Sequence, residues 1–435
     1  MTPAARLAAL LDHLGIGRTH LAAQIAAEAA DFVAACPDRI AGIGLCAPSR
    51  RDPAPFAPFA GRLLLIAGER GESAEVAARA ARLLPAARRH VLAGYQAWTW
   101  TDVAAERTAE VAEAMTGFLA EHHAEPPRPP AREGSHAGIS WRVEGSGPAL
   151  LLLPFFLAPS QWAPAVPLLA RRFTVVMLGG PHLGGVASLE DRARAPSYRA
   201  MFNSLVDCLA PLPGERILEV GCGAGSLVRL LARRLGEDNP ITAADLNPFL
   251  LREAGLLAEA EGLASRIRFV EGNAERLPIE DALFECVYSV TVLEECDADR
   301  AIAEMLRVTR PGGRVAVAVR ALDLSQWWNL DLPESVRAKV AMPPQSVGKE
   351  GVADRSLYPR MRRAGLEDLV AFPYLVTLDN PAGPIWRNRE EHALSRLDPE
   401  ETALWQEARE RAAAQGLLFM AHPLHCAVGR KPARG

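Results

Sequence analysis

No two cysteines in this chain form a C-x-x-C pair. Cys36, Cys46, Cys208, Cys222, Cys286, Cys296 and Cys426 are scattered and odd in number, which argues against both a disulfide framework and a cysteine zinc site. Positive charge is not in excess either. With a formal net charge of −4 and a pI near 6.2 there is no basic footprint for nucleic acid. Pairs such as Arg233-Arg234 and Arg362-Arg363 fall on helical patterns and read as solvated faces. Long apolar runs are missing too: none approaches the roughly 18 residues a membrane span needs. The start, Met1 to Arg6, leads into an amphipathic helix rather than a signal core. The expectation is a cytoplasmic protein with no metal, membrane or nucleic-acid partner. What is present, 49% hydrophobic and 23% charged residues over 435, suffices for a full core and favours two domains. The richness in Ala and Arg points to a bacterial, high-GC source.

Helix and strand patterns alternate from the start: a helix at 4–14, a strand Thr19–Ala23, a helix through Phe32, then strands Ile40–Cys46 and Arg62–Ala67. A helix at 73–84, a strand Arg89–Ala93 and a helix at 103–121 follow. Such alternation predicts a parallel sheet covered on both faces. The run Glu125-Pro126-Pro127-Arg128-Pro129-Pro130 marks a semi-rigid linker over 123–134. Strands Ile139–Val143, Ala149–Leu153 and Thr174–Leu178 come after it. A second β-α-β block begins near 214, which places the domains at 1–190 and 191–435.

In the first block, Leu10 to Ile16 with Cys36 to Ile40, then Leu63 to Arg70, then Ser140 to Pro148 resemble pieces of the α/β-hydrolase family in rearranged order. The resemblance implies a nucleophile elbow, an acid and a histidine. Ile25 stands in the serine's slot of Ala23-Gln24-Ile25-Ala26-Ala27, Gly71 in the acid's, and Gly94 to Trp98 has no histidine. A degenerate, inactive hydrolase-like domain is expected, a pseudo-hydrolase. If its two pieces form one circularly permuted sheet, the linker must cross five to seven strands, roughly 24–34 Å at about 4.8 Å each. Extended at about 3.1 Å per residue, it reaches roughly 35–40 Å.

The second block opens with Leu218-Glu219-Val220-Gly221-Cys222-Gly223-Ala224-Gly225-Ser226 between a strand pattern (Arg216–Val220) and a helix pattern (Leu227–Leu235). Glycines there let the backbone turn tightly and meet a ligand closely. A strand Ile241–Ala244 ends at Asp245, about 20 residues past the last glycine, where a carboxylate accepts from ribose hydroxyls. A dehydrogenase fingerprint needs G-x-G-x-x-G, and Ser226 occupies its last glycine. The E-x-G-x-G-x-G form resembles class I S-adenosylmethionine-dependent methyltransferases. Gly272-Asn273-Ala274-Glu275, Phe284 to Val287, Arg307 to Val315 and His425 to Pro432 extend that resemblance over about 195–432. It implies a Rossmann-like α/β fold and a cofactor site made of Glu219, Gly221, Cys222, Gly223, Gly225, Asp245, Leu246, Asn273, Ala274 and Ser289. Asn273 replaces the family's usual Asp, keeping an acceptor oxygen without its charge.

The acceptor side is less defined, because direct methyl transfer rests on positioning and needs a base only when the acceptor must lose a proton. Glu294 and Glu295 follow the fourth strand; many members of the family carry His at the second position, and a helix-start acid pair is the bland alternative. Trp327 and Trp328 are candidates for an apolar pocket or for core packing. Tyr198 and Phe202 are candidates for a lid. His392, His422 and His425 are possible bases. Insertions at 322–352 and 380–416 would carry specificity. The expected function is methylation of a small molecule, the first half serving architecture, substrate cover or homodimerisation. A non-catalytic cofactor-binding scaffold or regulator, and an active hydrolase, are the alternatives.

Overall fold

Apolar runs bounded by glycine, proline and short polar turns become the central strands, because only a sheet covered on both faces can bury them. The computed structural model describes residues 1–24, 26–48, 53–96, 102–127, 132–156, 158–345 and 347–433. They divide into two units, Met1–Ala187 and Ser188–Gly435.

The first unit is built on strands β1 (Thr19–Ala23), β2 (Ile40–Cys46), β3 (Leu63–Arg70), β4 (Arg88–Gln96), β5 (Glu133–His136), β6 (Ile139–Glu144), β7 (Ala149–Leu152) and β8 (Thr174–Gly179). They form one sheet in the order β4-β3-β2-β1-β7-β8-β6-β5. The strands from β4 to β8 along that order run parallel, while β6 and β5 close the far edge antiparallel. Every residue of β1, β2 and β7 is buried. Helices α1 (Pro3–His13), α2 (Ala26–Ala35), α3 (Glu72–Leu83), α4 (Val103–Glu106), α5 (Thr108–Leu119) and α6 (Val166–Leu169) complete the unit.

Two local departures from the sequence expectation have visible causes. The single helix expected over 103–121 breaks at Arg107, which leaves helical geometry (φ −132°, ψ 43°). Its guanidinium is drawn to the Ala93 carbonyl (3.0 Å), to Glu110 and to the face of Tyr95. Strand β5 was not anticipated. It pairs with β6 through a two-residue turn, Ala137-Gly138, with both φ positive as a hairpin's primed turn requires. The expected linker falls partly on residues 128–131, outside the described residues. In its described part, Glu125 donates to the Arg18 carbonyl (3.0 Å) and accepts from the Ala149 amide (2.9 Å) at the starts of β1 and β7. Strands before and after the linker therefore share one sheet, with Leu21 beside Leu151.

The second unit has helices α7 (Gly184–Arg194, continuing from the first unit) and α8 (Pro196–Leu209), then β9 (Ile217–Val220), α9 (Ser226–Arg234), β10 (Ile241–Asp245), α10 (Pro248–Ala260), β11 (Ile267–Glu271) and β12 (Phe284–Val290). After these come α11 (Ala298–Val308), β13 (Thr309–Arg320), β14 (Trp327–Trp328), α12 (Glu334–Val340), α13 (Leu357–Arg363), β15 (Glu367–Leu378), α14 (Pro384–Leu394), α15 (Pro399–Ala414) and β16 (Met420–Arg430). The sheet order is β11-β10-β9-β12-β13-β16-β14, with β15 on β16. Strands β9 to β13 are parallel, and β16 lies antiparallel to both β13 and β15. From β9 the chain builds outward to β10 and β11 on one side, then returns to β12 and β13 on the other. That reversal makes a topological switch point at the carboxyl ends of β9 and β12, where open α/β sheets bind ligands.

Arg229 of α9 is 2% exposed and holds this region together. It donates to Glu190 of α7 (2.6 Å), to Glu261 (2.8 Å) and to the Ala224 carbonyl of the glycine loop (2.7 Å). Removing Arg229 leaves the buried Glu190 carboxylate to the half-exposed Arg194 at 3.8 Å, a loss toward the lower end of the about 3–5 kcal/mol that breaking a buried pair costs. Arg229→Met is expected to lose about that much stability in urea denaturation, whereas trimming the exposed partner of a surface pair (Arg337→Ala, facing Glu334) is expected to cost under about 1 kcal/mol.

Candidate active site

The glycine loop leaves β9 at the switch point, and all three glycines adopt positive φ: Gly221 at 76°, Gly223 at 54° and Gly225 at 73°. A Cβ on Gly221 would overlap the Val292 side chain, and one on Gly223 would come within 2.9 Å of Leu189. Conformation and space thus both demand glycine at these two positions. Amides of Gly221 and Cys222 donate to the Ala244 carbonyl at 2.7 and 3.0 Å. Asp245, ending β10, accepts from the Gly223 amide through Oδ2 (2.7 Å) and from the Asn247 amide through Oδ1 (2.9 Å). Burial raises the Asp245 carboxyl above its ordinary value, and these amide bonds work against that rise. Next to it Leu246 is 63% exposed, an apolar surface at the mouth of the loop.

The other expected cofactor residues divide into those that face this mouth and those used up within the fold. Glu219 is buried on β9, and its Oε2 has no hydrogen-bond partner. Burial pushes its carboxyl up to about 8. Asn273 is exposed, and its Oδ1 accepts from the Glu275 amide (2.8 Å), closing a local turn that presents Ala274. The Ser289 hydroxyl donates to the Val220 carbonyl (2.8 Å), which ties β12 to β9 rather than facing a ligand. Cys222 is buried with its thiol pushed well up by burial, so it is inert.

On the acceptor side, Glu294 is fully buried. Its Oε1 accepts from the Arg320 amide (2.7 Å) and faces the Arg320 guanidinium, which also reaches the exposed Glu295 (3.1 Å). Trp328 packs edge-on against Trp386 and Trp405 in the core, while Trp327 is half exposed against Phe419. Phe202 is buried on Tyr288 instead of lying open as a lid. Both ring nitrogens of His425 are committed, one to Asp323 and one to the Tyr358 hydroxyl, each at 2.8 Å. His392 is half-buried on α14. His422 is buried beside Tyr198, with ring centroids 5.7 Å apart.

Three residues near His422 escaped the sequence reading. Thr291, just past β12, holds φ +55°, which costs a β-branched residue about 1–2 kcal/mol. Its hydroxyl accepts from Arg192 (2.9 Å), whose guanidinium lies over the Tyr198 ring. Arg389 of α14 is buried near Tyr198 and Arg320. No motif announces them, since each comes from a different element. A separate groove of about 700 Å³, lined by Arg199, Asn203, Asp207 and Arg233 among others, runs along α8 and α9.

In the first unit, the slot of Ile25 lies outside the described residues, as do 97 and 98. Gln24 is buried, and its Oε1 accepts from the Phe156 amide after β7 (2.8 Å). Gly71, with no side chain to offer, caps α3.

Strand order, glycine turn and terminal acid give the second unit an α/β, Rossmann-like fold with a ligand-binding switch point. Residues 217–313 match the family described as a methyltransferase domain. A ubiquinone/menaquinone biosynthesis C-methyltransferase UbiE of Vibrio cholerae is 35% identical over 113 residues, 26% of this chain and 44% of that protein. The Legionella pneumophila counterpart is 37% identical over 106 residues, 24% of this chain and 42% of that protein. The chain thus spans under half the length of these curated relatives. The YcgJ protein of Bacillus subtilis aligns over 54% of this chain and 99% of its own at a TM-score of 0.38, with 16% identity. No helix among the described residues is long and apolar enough to cross a membrane.

Glu219 carries a pH signature. Its folded-state value of about 8 lies above the ordinary 4.5, so between them the folded protein binds the proton more tightly than the unfolded chain. The stability this proton contributes is present below that window and is lost as pH rises through it. Glu219→Gln should flatten the decline of the urea midpoint with pH, leaving the part owed to other carboxyls raised by burial, among them Glu253, pushed up to about 7.

Proposed function

We propose that the second unit transfers a methyl group from S-adenosylmethionine to a small-molecule acceptor by direct displacement. The observation that carries this reading is the preset loop: the Gly223 amide is already bonded to Asp245 at the switch point, in a turn whose first glycine lies so close to Val292 that no Cβ fits. Both oxygens of Asp245 already accept backbone amides, and a carboxylate's about four acceptor sites leave capacity for a ribose hydroxyl. Leu246, exposed beside Asp245, and the turn at Ala274 would flank the adenine ring. The orphaned Oε2 of Glu219 suits an ammonium donor, and that contact would draw the carboxyl into its charged form. When bound, S-adenosylmethionine supplies an electrophilic methyl on a sulfonium and leaves as the neutral thioether. The chain's own part is to hold both reactants in line and keep water out. No base is assigned, because Glu294 is engaged with Arg320.

The same reading makes the first unit a hydrolase-like domain that is circularly permuted and inert. Placing β5–β8 before β1–β4 would give a sheet in which each connection joins near neighbours, in support of the permutation. Gln24 supports inertness: its side chain takes up an amide in the loop after β7, where hydrolases draw part of an oxyanion hole. Architecture, substrate cover or dimerisation through the open edges of β4 and β5 are the roles left to it.

Calorimetry with S-adenosylmethionine and its demethylated product tests the donor site. Asp245→Ala is expected to weaken both by about tenfold or more, since it removes charge-assisted bonds and releases the loop. Unchanged affinity would contradict the assignment. Binding without turnover of labelled methyl into a metabolite extract would favour the scaffold alternative. The purified chain is expected to leave p-nitrophenyl acetate unhydrolysed above the buffer rate.

A further inference from the structure

Among the described buried charges of the second unit, one guanidinium stands without an opposite charge. Arg389 is 7% exposed, and its Nη1 is buried with no hydrogen-bond partner. Besides burial, Tyr198 and Arg320 are the groups that act on it, and neither is a carboxylate. Its neighbour in sequence, Glu390, accepts from Arg409 (2.6 Å) and from the indoles of Trp386 and Trp405. Glu294 faces Arg320, and Asp191 accepts from Asn380. Beside Arg389 lies His422, 3% exposed, whose Nε2 also lacks a partner. Burial first, and then the guanidinium groups of Arg389, Arg192 and Arg320, hold that imidazole well below its ordinary value, hence neutral. Of these three, Arg320 has its carboxylates. Among the described residues, Arg192 has only the Thr291 hydroxyl and the Tyr198 ring.

We propose that this cluster is the acceptor's anchor, and that the acceptor carries an oxyanion, either a carboxylate or a phosphate, gripped by Arg389 and Arg192 with a hydrogen bond from His422. The inference rests on the methyltransferase reading above. A buried, unpaired guanidinium is unfavourable unless an anion completes it, and its planar fork of donors suits two oxygens at once. The position is right for an acceptor. Arg192 is bonded to Thr291 at the carboxyl end of β12, and the next residue, Val292, packs against Gly221 of the donor loop. The strained Thr291 backbone therefore stands between anchor and donor. Binding energy from the anion, remote from the reacting atom, would then orient the acceptor toward the methyl group.

The full chain, saturated with S-adenosylhomocysteine, is titrated calorimetrically with benzoate, phenyl phosphate and neutral benzamide. Binding of one or both anions and none of benzamide is expected, and the tighter of the two identifies carboxylate or phosphate. Arg389→Met should weaken the anion about tenfold or more while leaving S-adenosylhomocysteine affinity unchanged. It should also leave the melting temperature of the unliganded chain equal or higher, because it removes an unpaired buried charge; a merely structural arginine would lower it. Arg389→Lys, which keeps the charge, and His422→Gln, which keeps a donor, should retain part of the affinity and serve if the methionine variant does not fold. Equal binding of benzamide, or anion affinity indifferent to Arg389, overturns the proposal. Failure of S-adenosylhomocysteine to bind the wild type overturns the donor reading instead, and the anion titration repeated without it keeps the two failures apart.

Discussion

The hydrogen bond from the Gly223 amide to Asp245 is the constraint around which the second unit is organised. It closes the loop after β9 onto the end of β10, and both strands must be in parallel register for it to form. The Ala244 carbonyl receives two further amides from the same loop, so the turn is fixed by backbone as well as by side chain. The loop's outer side is held by Arg229 through the Ala224 carbonyl, and Arg229 in turn fastens α7 to α9 through Glu190. Positive φ at three alternate glycines is the local condition for this closure.

Two buried arginines in the same unit show how differently charge is used there. Arg229 has its acceptors built in, two carboxylates and a carbonyl, and its role ends with the fold. Arg389 has none of its own, while three aromatic or basic neighbours, Tyr198, Arg192 and Arg320, act on it or on His422. A fold that needs only stability has no reason to keep such a group unpaired, since an apolar side chain of like volume would serve better.

Much of the architecture was legible because it rests on local patterns. The strand runs Thr19–Ala23 and Ile40–Cys46, the glycine turn and Asp245 all lie where residue spacing puts them. What stayed hidden depends on contacts between distant segments. The break at Arg107 needs the Ala93 carbonyl, and β5 needs an Ala-Gly turn that is a weak hairpin signal by composition. In the site, Ser289 looks like a ligand contact in sequence, yet its hydroxyl is taken by Val220 from the neighbouring strand. Arg192, Thr291, Arg389 and His422 come from four elements and share no spacing, so only the folded chain gathers them.

The pairing of β1 with β7 has a consequence in time. The Thr19 hydroxyl donates to the Ala149 carbonyl across 130 residues of sequence, in the middle of the first unit's sheet. Strands β1 to β4 emerge first during synthesis, yet the apolar flank of β1 has no neighbour until β7 follows the linker. Closing so long a loop slows the search for the native pairing and leaves a hydrophobic strand edge open meanwhile. The nascent chain must therefore wait, with half a sheet assembled, for the segment that completes its centre.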